Sequence, residues 1–425
     1  MPLDEKQLSD DLIDLVGMEN VILDDKKLHE YGLDLFGNKH TPLMVVKPSA
    51  SVHFKRLNFI LRRYKVDSIT PRGKGLDVNL GAFSEDLVID LTLLNKKIKI
   101  NEQKSLVTAQ AGMTYKNLQN FLEEKGFRLP MEPILNGTLG GFIASGGYGY
   151  GSYRYGTIIN SLRSTNLLLS NGQTIQTGTL TVPAYCSGYN LNSLVCGSEG
   201  YFGIITEATF EIIPTPENSL NILLSIKNDG KLFQRLIELT KLSTIYNISL
   251  YKAILNNHSD SIELLIRLEG SQKVMEKENS LIENIEGVNL SHTSEANKLW
   301  ESRIIDQSQI PAASLILEAL IPINQISNYF RFLDGIDSPH SFGIFINAGT
   351  ILLYAFLSKN LSDSRKSEIV IEFLKKTDEI QARPPTLGNN IKKFVEKSYS
   401  NLKLLKQIKP IFDETNRLKS RKLKF

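Results

Sequence analysis

Cysteine is almost absent from this chain of 425 residues, which contains only Cys186 and Cys196. Two cysteines cannot supply a disulfide framework, a cysteine-ligated iron–sulfur cluster or a Cys₄ zinc site. The chain also has little excess of either charge, because 49 basic and 46 acidic residues leave a net charge of +3. So small an excess gives no reason to expect nucleic acid as a partner. The 41% apolar and 22% charged content is typical of a soluble globular protein of two or three domains.

Long apolar runs are scarce as well. The longest uncharged run covers residues 341–358, SFGIFINAGTILLYAFLS, but Asn347, Ala348 and Gly349 interrupt it at the middle. This pattern predicts a buried β-hairpin rather than a membrane span. The acidic, amphipathic N-terminus predicts neither a signal nor a transit peptide, so a cytoplasmic location is the default expectation. A solvated end or a peripheral contact with an anionic membrane surface would both suit the basic tail, which contains Arg417, Lys419, Arg421, Lys422 and Lys424.

Glycine is concentrated in residues 130–156, PMEPILNGTLGGFIASGGYGYGSYRYG, which we call the glycine-rich segment. Glycine permits positive φ angles and lets backbone N–H groups approach a ligand closely, because it has no Cβ. A flexible linker is the alternative, but linkers are polar, whereas this segment includes Leu139, Phe142, Ile143 and four tyrosines. The segment is therefore predicted to bind a ligand.

A second glycine-bearing stretch, residues 71–81 (PRGKGLDVNLG), follows a predicted β-α-β unit. It is not the dinucleotide fingerprint G-x-G-x-x-G, because Val78 replaces the third glycine, and G-x-x-x-x-G-K-[ST] occurs nowhere in the chain. Gly73 and Gly75 can still turn N–H groups toward an anion, beside the positive charges of Arg72 and Lys74. The loop predicts a pyrophosphate site, and a structural turn with two solvated cations is the alternative.

Coarser patterns place the other elements. The N-terminal residues are predicted to form short helices, the first with Ser9 as its N-cap. Residues 83–112 alternate like short strands, residues 114–126 suit an amphipathic helix ending at Gly126, and Asn171-Gly172 marks a hairpin. After Pro216, strand-like and helix-like stretches predict an antiparallel sheet covered by helices.

Six short motifs follow one another along the first half of the chain. They are Pro71-Arg72-Gly73-x-Gly75, Ala111-Gly112, Gly137-Thr138-Leu139-Gly140-Gly141, Tyr155-Gly156, Gly188-Tyr189-Asn190-Leu191 and Gly197-Ser198-Glu199-Gly200-x-x-Gly203-Ile204-Ile205-Thr206-Glu207. Taken together and in this order, they resemble the FAD-binding domain of the PCMH/vanillyl-alcohol-oxidase type. Within that superfamily the chain looks most like the D-lactate dehydrogenase and glycolate oxidase (GlcD-like) branch.

The resemblance implies an α+β fold, in which a PCMH-type FAD-binding domain of two subdomains precedes a cap domain with an antiparallel sheet and helices. The implied divisions are an N-terminal helical segment (1–36), the FAD-binding domain (37–217), the substrate cap (218–400) and a C-terminal segment returning to the FAD-binding domain (401–425). This last segment is similar to the family's I-K-x-x-x-D-P-x-x-x-x-N-P-G-K, without its glycine and prolines.

Carried over by position, the resemblance assigns residues to the cofactor. The pyrophosphate would be wrapped by Arg72, Gly73, Lys74, Gly75 and Leu76. The ribityl chain and flavin would be lined, through backbone N–H groups, by Thr138, Leu139, Gly140, Gly141, Ala144 and Ser145. The cofactor would be bordered by Tyr155 and Gly156, with Ile205 near the adenine. Some family members attach FAD covalently through a histidine where this chain has Leu76, so the resemblance implies noncovalent binding. Lys74, Leu76 and Asp77 depart from the family's usual Gly, Thr and Ser.

In the second half, Leu299-Trp300-x-x-Arg303 resembles the family's L-W-x-x-R, whose arginine holds the substrate carboxylate; an exposed helix arginine beside a core tryptophan is the alternative. Many GlcD-like enzymes also carry histidines for a metal ion and a base. The matching stretches here, residues 343–351 and 383–388, contain none, so metal assistance of that kind is not expected. The six histidines of the chain show no ligand spacing and are each expected at the surface.

The leading hypothesis is an FAD-dependent dehydrogenase that oxidises a 2-hydroxy acid such as D-lactate or glycolate by hydride transfer to flavin N5, with Arg303 on the carboxylate. The candidate bases are Tyr148, Tyr150, Tyr153 and Glu318, and for each tyrosine the alternative is packing or lining the edge of the site. The alternatives are an FAD-carrying accessory subunit of a glycolate-oxidase-like complex, or a relative acting on a sugar, polyol or lipid-linked alcohol. The electron acceptor is expected to be a quinone, a carrier protein or an iron–sulfur subunit rather than NAD, and a homodimer is left open. Cys196 is expected to fill a small apolar space near the cofactor.

Overall fold

The computed structural model describes residues 4–32, 41–76, 86–180, 188–253, 261–291, 293–304, 315–336, 340–357, 361–382 and 402–418. The first described elements form a small layer of helices against a four-stranded sheet. The helices are α1 (Glu5–Val16), α2 (Asp25–Tyr31) and α3 (His53–Arg63). The strands are β1 (Val21–Ile22), β2 (Met44–Val46), β3 (Ile69–Arg72) and β4 (Leu87–Asp90).

The predicted β-α-β unit is present as β2, α3 and β3. The sheet order is β1-β2-β4-β3, so both strands of the unit pair in parallel with β4 rather than with each other. The 72–76 loop therefore leaves the carboxyl end of an outer parallel strand, next to the end of β4. The prediction for the first helix was wrong at its start. Asp4 is the N-cap and accepts from the Gln7 N–H, while Ser9 lies inside α1.

A five-stranded antiparallel sheet, in the order β11-β10-β12-β6-β5, follows in the chain. Its strands are β5 (Ile98–Asn101), β6 (Leu106–Gln110), β10 (Leu162–Leu168), β11 (Thr174–Gly178) and β12 (Ile204–Glu211). The predicted hairpin at Asn171-Gly172 joins β10 to β11, and Gly172 has the positive φ (86°) of such a turn. The predicted amphipathic helix is α4 (Tyr115–Glu123), which ends three residues before Gly126 and buries Leu118 and Leu122.

Short elements connect the two sheets. The helices are α5 (Leu139–Ala144), α6 (Ser152–Tyr155), α7 (Ile158–Ser161) and α8 (Asn192–Val195). Two strand pairs complete this half, β7 (Phe127–Arg128) with β13 (Ile213–Pro214) and β8 (Glu132–Pro133) with β9 (Gly149–Tyr150). The glycine-rich segment thus begins at β8, returns at β9, and has α5 between them.

A seven-stranded antiparallel sheet, which we call the cap sheet, has the order β17-β14-β16-β15-β19-β20-β18. Its strands are β14 (Ser219–Lys227), β15 (Ile245–Ala253), β16 (Ser261–Glu269), β17 (Val288–Ser291), β18 (Leu315–Pro322), β19 (His340–Asn347) and β20 (Thr350–Leu357). Its helices are α9 (Leu232–Thr240), α10 (Gln272–Glu283), α11 (Thr293–Glu301), α12 (Ile326–Gly335) and α13 (Asp363–Glu379). The prediction of an antiparallel sheet covered by helices is confirmed.

The uncharged run at 341–358 forms the β19–β20 hairpin, as predicted. None of the described helices combines the length and the apolar character needed to cross a bilayer. Because side chains alternate along a strand, the hairpin buries Ile351 and Leu353 against the helices of the cap. Ile344 and Leu352 face a separate cluster that includes Tyr150 of β9. The inner face of the cap sheet therefore packs on the glycine-rich segment.

The last described helix, α14 (Leu402–Phe412), packs on the first half of the chain. Leu418 forms a parallel bridge with Ile69, whose N–H donates to the Arg417 carbonyl (2.9 Å). Lys409 and Asp413 form a buried ion pair (2.7 Å), and the Lys409 ammonium also donates to the carbonyls of Tyr201 and Leu418. The resemblance predicted such a return of the C-terminal segment, and these contacts hold it on β3.

Candidate functional site

Three glycine-bearing segments meet beyond the end of β3. A Cβ on Gly73 would lie 2.1 Å from Oγ1 of Thr138, which is the N-cap of α5. A Cβ on Gly200 would lie 2.6 Å from the ring of Pro71. These spaces are too small for any side chain, so glycine is required for the close approach of the chains.

The 72–76 loop has the features of an anion-binding turn. Gly75 has a φ of +70°, which strongly favours glycine. Among the described residues, the N–H groups of Gly73, Gly75 and Leu76 donate to no protein acceptor. Successive free N–H groups in such a turn form a concavity that binds phosphate oxygens. Lys74 is exposed on this loop.

Arg72 is held in position by α2. Its guanidinium donates to the Tyr31 carbonyl (3.1 Å) and lies 5.1 Å from the centre of the Tyr31 ring. The Tyr31 hydroxyl donates to buried Asp90 (2.5 Å), which also pairs with Lys47 (3.3 Å). Burial lowers the pKa of Arg72, although an arginine remains charged at neutral pH. A Cβ on Gly75 would collide with this guanidinium, so Arg72 folds back over the loop that it begins.

The segment from Thr138 to Ser145 packs closely on the five-stranded sheet. The Leu139 N–H donates to the Met113 carbonyl (2.9 Å), and the Gly140 N–H donates to the Ala111 carbonyl (2.8 Å). The Gly141 N–H donates to Thr138 Oγ1 (3.3 Å). These three N–H groups therefore pair within the protein. Ala144 and Ser145 follow in α5 and at its C-cap, where the Ala144 carbonyl accepts from the Glu199 N–H (2.9 Å).

The remaining residues assigned by the resemblance are spread around this junction. Gly156 has a φ of +79° and ends α6. Tyr155 packs edge to face with Tyr246 of β15 (6.2 Å between ring centres). Ile205 follows residues 197–203, which contain Gly197, Gly200 and Gly203 and form the third glycine segment. Ile205 is buried in β12 opposite Leu167, in the core of the five-stranded sheet.

Arg303 lies just after α11, and its side chain is 16% exposed. Its Nε donates to Glu132 (3.0 Å), and its Nη2 contacts the same carboxylate oxygen. The guanidinium also lies 4.3 Å from the centre of the Trp300 ring, and Nη1 donates to the Trp300 carbonyl (2.8 Å). Arg303 is therefore a partly buried arginine at the junction of the cap and the glycine-rich segment, not an exposed helix arginine.

The three candidate tyrosines have different surroundings. The Tyr150 hydroxyl donates to the Arg303 carbonyl (3.0 Å). The Tyr153 hydroxyl donates to the Thr240 carbonyl (3.0 Å), and burial raises its pKa. Tyr148 packs against the cluster on the inner face of the cap sheet. Glu318, the fourth candidate, is a buried carboxylate on β18, opposite Tyr354 in register.

A buried ionic cluster at the same junction was missed by the sequence reasoning. Arg128 Nη1 donates to Glu269 (2.9 Å), Arg267 Nε donates to the same carboxylate (2.8 Å), and Arg267 lies 4.7 Å from the centre of the Trp300 ring. The only signal in the sequence was the placement of charged residues in otherwise apolar stretches, as in 261–269 (SIELLIRLE) and around Glu132. Since charged residues are rarely buried unless paired, that pattern could have indicated them.

Residues 343–351 form the turn half of the β19–β20 hairpin, and no cluster of metal-binding side chains occurs within the described ranges. His29 and His53 are partly buried rather than at the surface, whereas His40, His258 and His292 lie outside the described residues. So do Cys186 and the 383–388 stretch. Burial raises the pKa of Cys196 to about 12, and its side chain packs on the core of the five-stranded sheet. A protonated, packed thiol suits the expected apolar role.

These features fit FAD. The N–H groups of Gly73, Gly75 and Leu76 and the Arg72 guanidinium suit a diphosphate, and the glycine junction gives the backbone close access to a ligand. Leu76 offers no atom for a covalent bond to the flavin. In the described ranges, Arg72, Gly73, Gly75 and Leu76 are thus the residues best suited to hold the cofactor.

Comparison with known proteins agrees. Residues 42–178 match the family described as an FAD binding domain. The chain is 26% identical over 285 residues to a probable mitochondrial D-lactate dehydrogenase of Danio rerio, covering 64% of this chain and 57% of the relative. It is 26% identical over 368 residues to the glycolate oxidase subunit GlcD of Bacillus subtilis, covering 80% and 77%. Its fold resembles that of p-cresol methylhydroxylase (TM-score 0.82, 15% identity, 98% and 96% covered).

The match thus spans little more than half the length of the Danio rerio protein. The structural likeness, at 15% identity, concerns the fold alone. The family match, the fold and the converging glycine segments together identify residues 42–178 as an FAD-binding domain of the PCMH type, with FAD as the cofactor of this protein.

Proposed function

We propose that this protein is an FAD-dependent dehydrogenase that oxidises a 2-hydroxy acid such as D-lactate or glycolate. The observation that carries the proposal is the placement of Arg303, whose guanidinium lies partly buried against Trp300, where the cap meets the glycine-rich segment. A desolvated guanidinium binds a carboxylate more strongly than one in water. The named relatives, a D-lactate dehydrogenase and a glycolate oxidase subunit, support the same substrate class.

The chain's own residues have separate tasks in this proposal. Bound FAD supplies the hydride acceptor. The 72–76 loop holds its diphosphate, and Arg303 binds and orients the substrate carboxylate. A base must take the hydroxyl proton, and Tyr148, Tyr150, Tyr153 and Glu318 are the candidates. In this structure the hydroxyls of Tyr150 and Tyr153 donate to backbone carbonyls. The aromatic and aliphatic cluster on the inner face of the cap sheet would exclude water.

Anaerobic mixing of the purified yellow protein with D-lactate, glycolate and longer 2-hydroxy acids should bleach the oxidised flavin with at least one of them. Arg303→Met should lower the second-order rate of bleaching by about 100-fold or more, since a charge-assisted bidentate contact is lost. Arg331→Met, on helix α12 of the cap, is the matched control and should react like the unmodified protein. Absence of bleaching by every acid would refute the proposal. Bleaching by these acids at an unchanged rate in Arg303→Met would show that Arg303 does not bind the substrate carboxylate. Bleaching by a polyol or a lipid-linked alcohol, and by none of the acids, would indicate a neutral alcohol as substrate.

Acid precipitation of the protein should leave the yellow colour in the supernatant. The expectation follows from Leu76, which stands where some family members have a histidine and cannot form a covalent bond to the flavin. The absorption spectra of pellet and supernatant measure the two fractions. Flavin that stays with the pellet would show a covalent bond.

A second candidate function is that of an FAD-carrying subunit active only within a larger complex. It is favoured by the histidine-free sequence of residues 343–351 in the cap sheet. With only two cysteines in the chain, electrons would pass to a quinone, a carrier protein or an iron–sulfur subunit. Bleaching by hydroxy acids only after addition of an iron–sulfur partner would favour this candidate. A cytoplasmic location remains a prediction of the sequence.

A further inference from the structure

Two cross-strand neighbours in the glycine-rich segment contact the same residue of the cap. Glu132 of β8 pairs with Tyr150 of β9 in antiparallel register. The Glu132 carboxylate accepts from the Arg303 guanidinium, and the Tyr150 hydroxyl donates to the Arg303 carbonyl (3.0 Å). Trp300 completes the group, because its ring lies edge to face with Tyr150 (5.6 Å) and under the guanidinium. We call Glu132, Tyr150, Trp300 and Arg303 the arginine clamp.

The clamp leaves part of the Arg303 guanidinium available. A guanidinium has five N–H groups. Within the described residues, three of these five N–H groups have acceptors. One on Nε and one on Nη2 donate to Glu132, and one on Nη1 donates to the Trp300 carbonyl. One N–H on Nη1 and one on Nη2 therefore have no described acceptor. A carboxylate can bind two such N–H groups side by side.

The net charge of the buried ionic cluster at the junction also favours the binding of an anion. Among the described residues the ionic cluster contains three cations, Arg128, Arg267 and Arg303, and two anions, Glu132 and Glu269, which leaves one net positive charge (3 − 2). The side chains of the three arginines are 7%, 14% and 16% exposed. An uncompensated charge at such a depth is costly unless a counter-ion binds.

We propose that Glu132 is the positioning residue for Arg303, and that with Tyr150 it fixes the guanidinium so that its two remaining N–H groups receive the substrate carboxylate. This inference rests on the proposed function. Glu132 is 2% exposed and lies on a strand of the glycine-rich segment, so it ties the cap arginine to the cofactor-binding half of the chain. Arg303 alone, on its flexible side chain, would lose more conformational entropy on binding.

The test is titration of the oxidised flavoprotein with oxalate, a carboxylate that carries no transferable hydride, followed by the change in the flavin absorption spectrum. Glu132→Asp shortens the side chain and keeps its charge, so oxalate affinity should fall by about tenfold or more. Glu132→Gln keeps the acceptor oxygen, so its oxalate affinity should fall less, by about threefold to tenfold. Tyr150→Phe should lower the oxalate affinity by the same factor as Glu132→Gln. Glu301→Gln, at an exposed acid that ends α11 two residues before Arg303, is the matched control and should bind oxalate like the unmodified protein.

Folding and cofactor content are measured in the same samples. The melting temperature of Glu132→Gln should fall, because partly buried Arg303 loses its ion-pair partner. Oxalate is therefore titrated well below that temperature into FAD-saturated protein, whose FAD dissociation constant should stay close to that of the unmodified protein. Equal or tighter oxalate binding by both Glu132 variants would overturn the inference, since it would mean that Glu132 competes with the ligand for Arg303. If Arg303→Met loses oxalate binding while the Glu132 variants keep it, only this inference fails. If the unmodified protein responds neither to oxalate nor to any 2-hydroxy acid, the proposed function fails, and the inference with it.

Discussion

Gly73→Ala should cause this protein to purify with little or no FAD. The new methyl group would lie 2.1 Å from Thr138 Oγ1, so either the 72–76 loop or the start of α5 must move. Overpacking of this kind costs about 1–3 kcal/mol, which predicts an FAD dissociation constant raised by about 10-fold to 100-fold. The measurement is FAD binding to the apoprotein, followed by flavin fluorescence quenching.

A double-mutant cycle separates this collision from general damage. Thr138→Ala removes Oγ1 and Cγ2, which would lie 2.1 and 3.3 Å from the new methyl group, and leaves only Cβ, at 3.2 Å. It also removes the cap of α5, so Thr138→Ala alone should weaken FAD binding slightly. The Gly73→Ala/Thr138→Ala protein should bind FAD more tightly than Gly73→Ala alone. Gly230→Ala, at a glycine with no neighbouring atom within 4 Å, is the matched control. Normal FAD affinity in Gly73→Ala would show that the two segments do not meet as described.

Asp413→Asn should destabilise the protein by about 3–5 kcal/mol, because it leaves the Lys409 charge buried without its partner. Both side chains are almost inaccessible, at 5% and 0% exposure. Lys409 also donates to the Tyr201 carbonyl in the third glycine segment, so FAD retention should fall together with stability. Urea unfolding followed by circular dichroism measures the first effect and flavin absorbance the second.

The matched control is Glu368→Gln, which removes an exposed ion pair with Arg365 (40% and 61% exposed) and should change stability by less than about 1 kcal/mol. An Asp413→Asn protein that unfolds at the urea concentration of the unmodified one would contradict the buried pair.

The stability that this buried pair contributes also depends on pH. Burial alone would raise the pKa of Asp413, but Lys409 and hydrogen bonds outweigh this and lower it below the ordinary 3.8. Its contribution is therefore complete above about pH 4 and is lost as the pH falls through the lowered pKa.

Much of the cofactor site could be predicted from the chain itself, because its signals are local. Gly73, Gly75 and Gly140 occur where the backbone must turn tightly or approach another chain segment, and an added Cβ would collide there. The β19–β20 hairpin was predicted for the same reason, since a turn between two apolar alternating runs is a short-range pattern. The N-cap of α1 was misplaced because Asp4 and Ser9 are both good caps, and propensity alone does not choose between them.

The partners of charged residues could not be predicted in this way. Glu132 and Arg303 are 171 positions apart, and Arg128 and Glu269 are 141 apart, so their pairing depends on how the cap sheet packs on the glycine-rich segment. The sequence by itself determined the two glycine-bearing ligand segments and the antiparallel sheet covered by helices, since backbone freedom and apolar periodicity are encoded residue by residue. The resemblance of its six motifs to a known family implied the FAD-binding fold and the cofactor. Only the tertiary structure decided which partners these groups have. The hydroxyls of Tyr150 and Tyr153 donate to backbone carbonyls, and the N–H groups of Leu139 and Gly140 donate to carbonyls of the protein. The Glu132 carboxylate accepts from Arg303. Such contacts arise between distant segments, and a desolvated charge or hydroxyl takes whichever partner the packing brings to it.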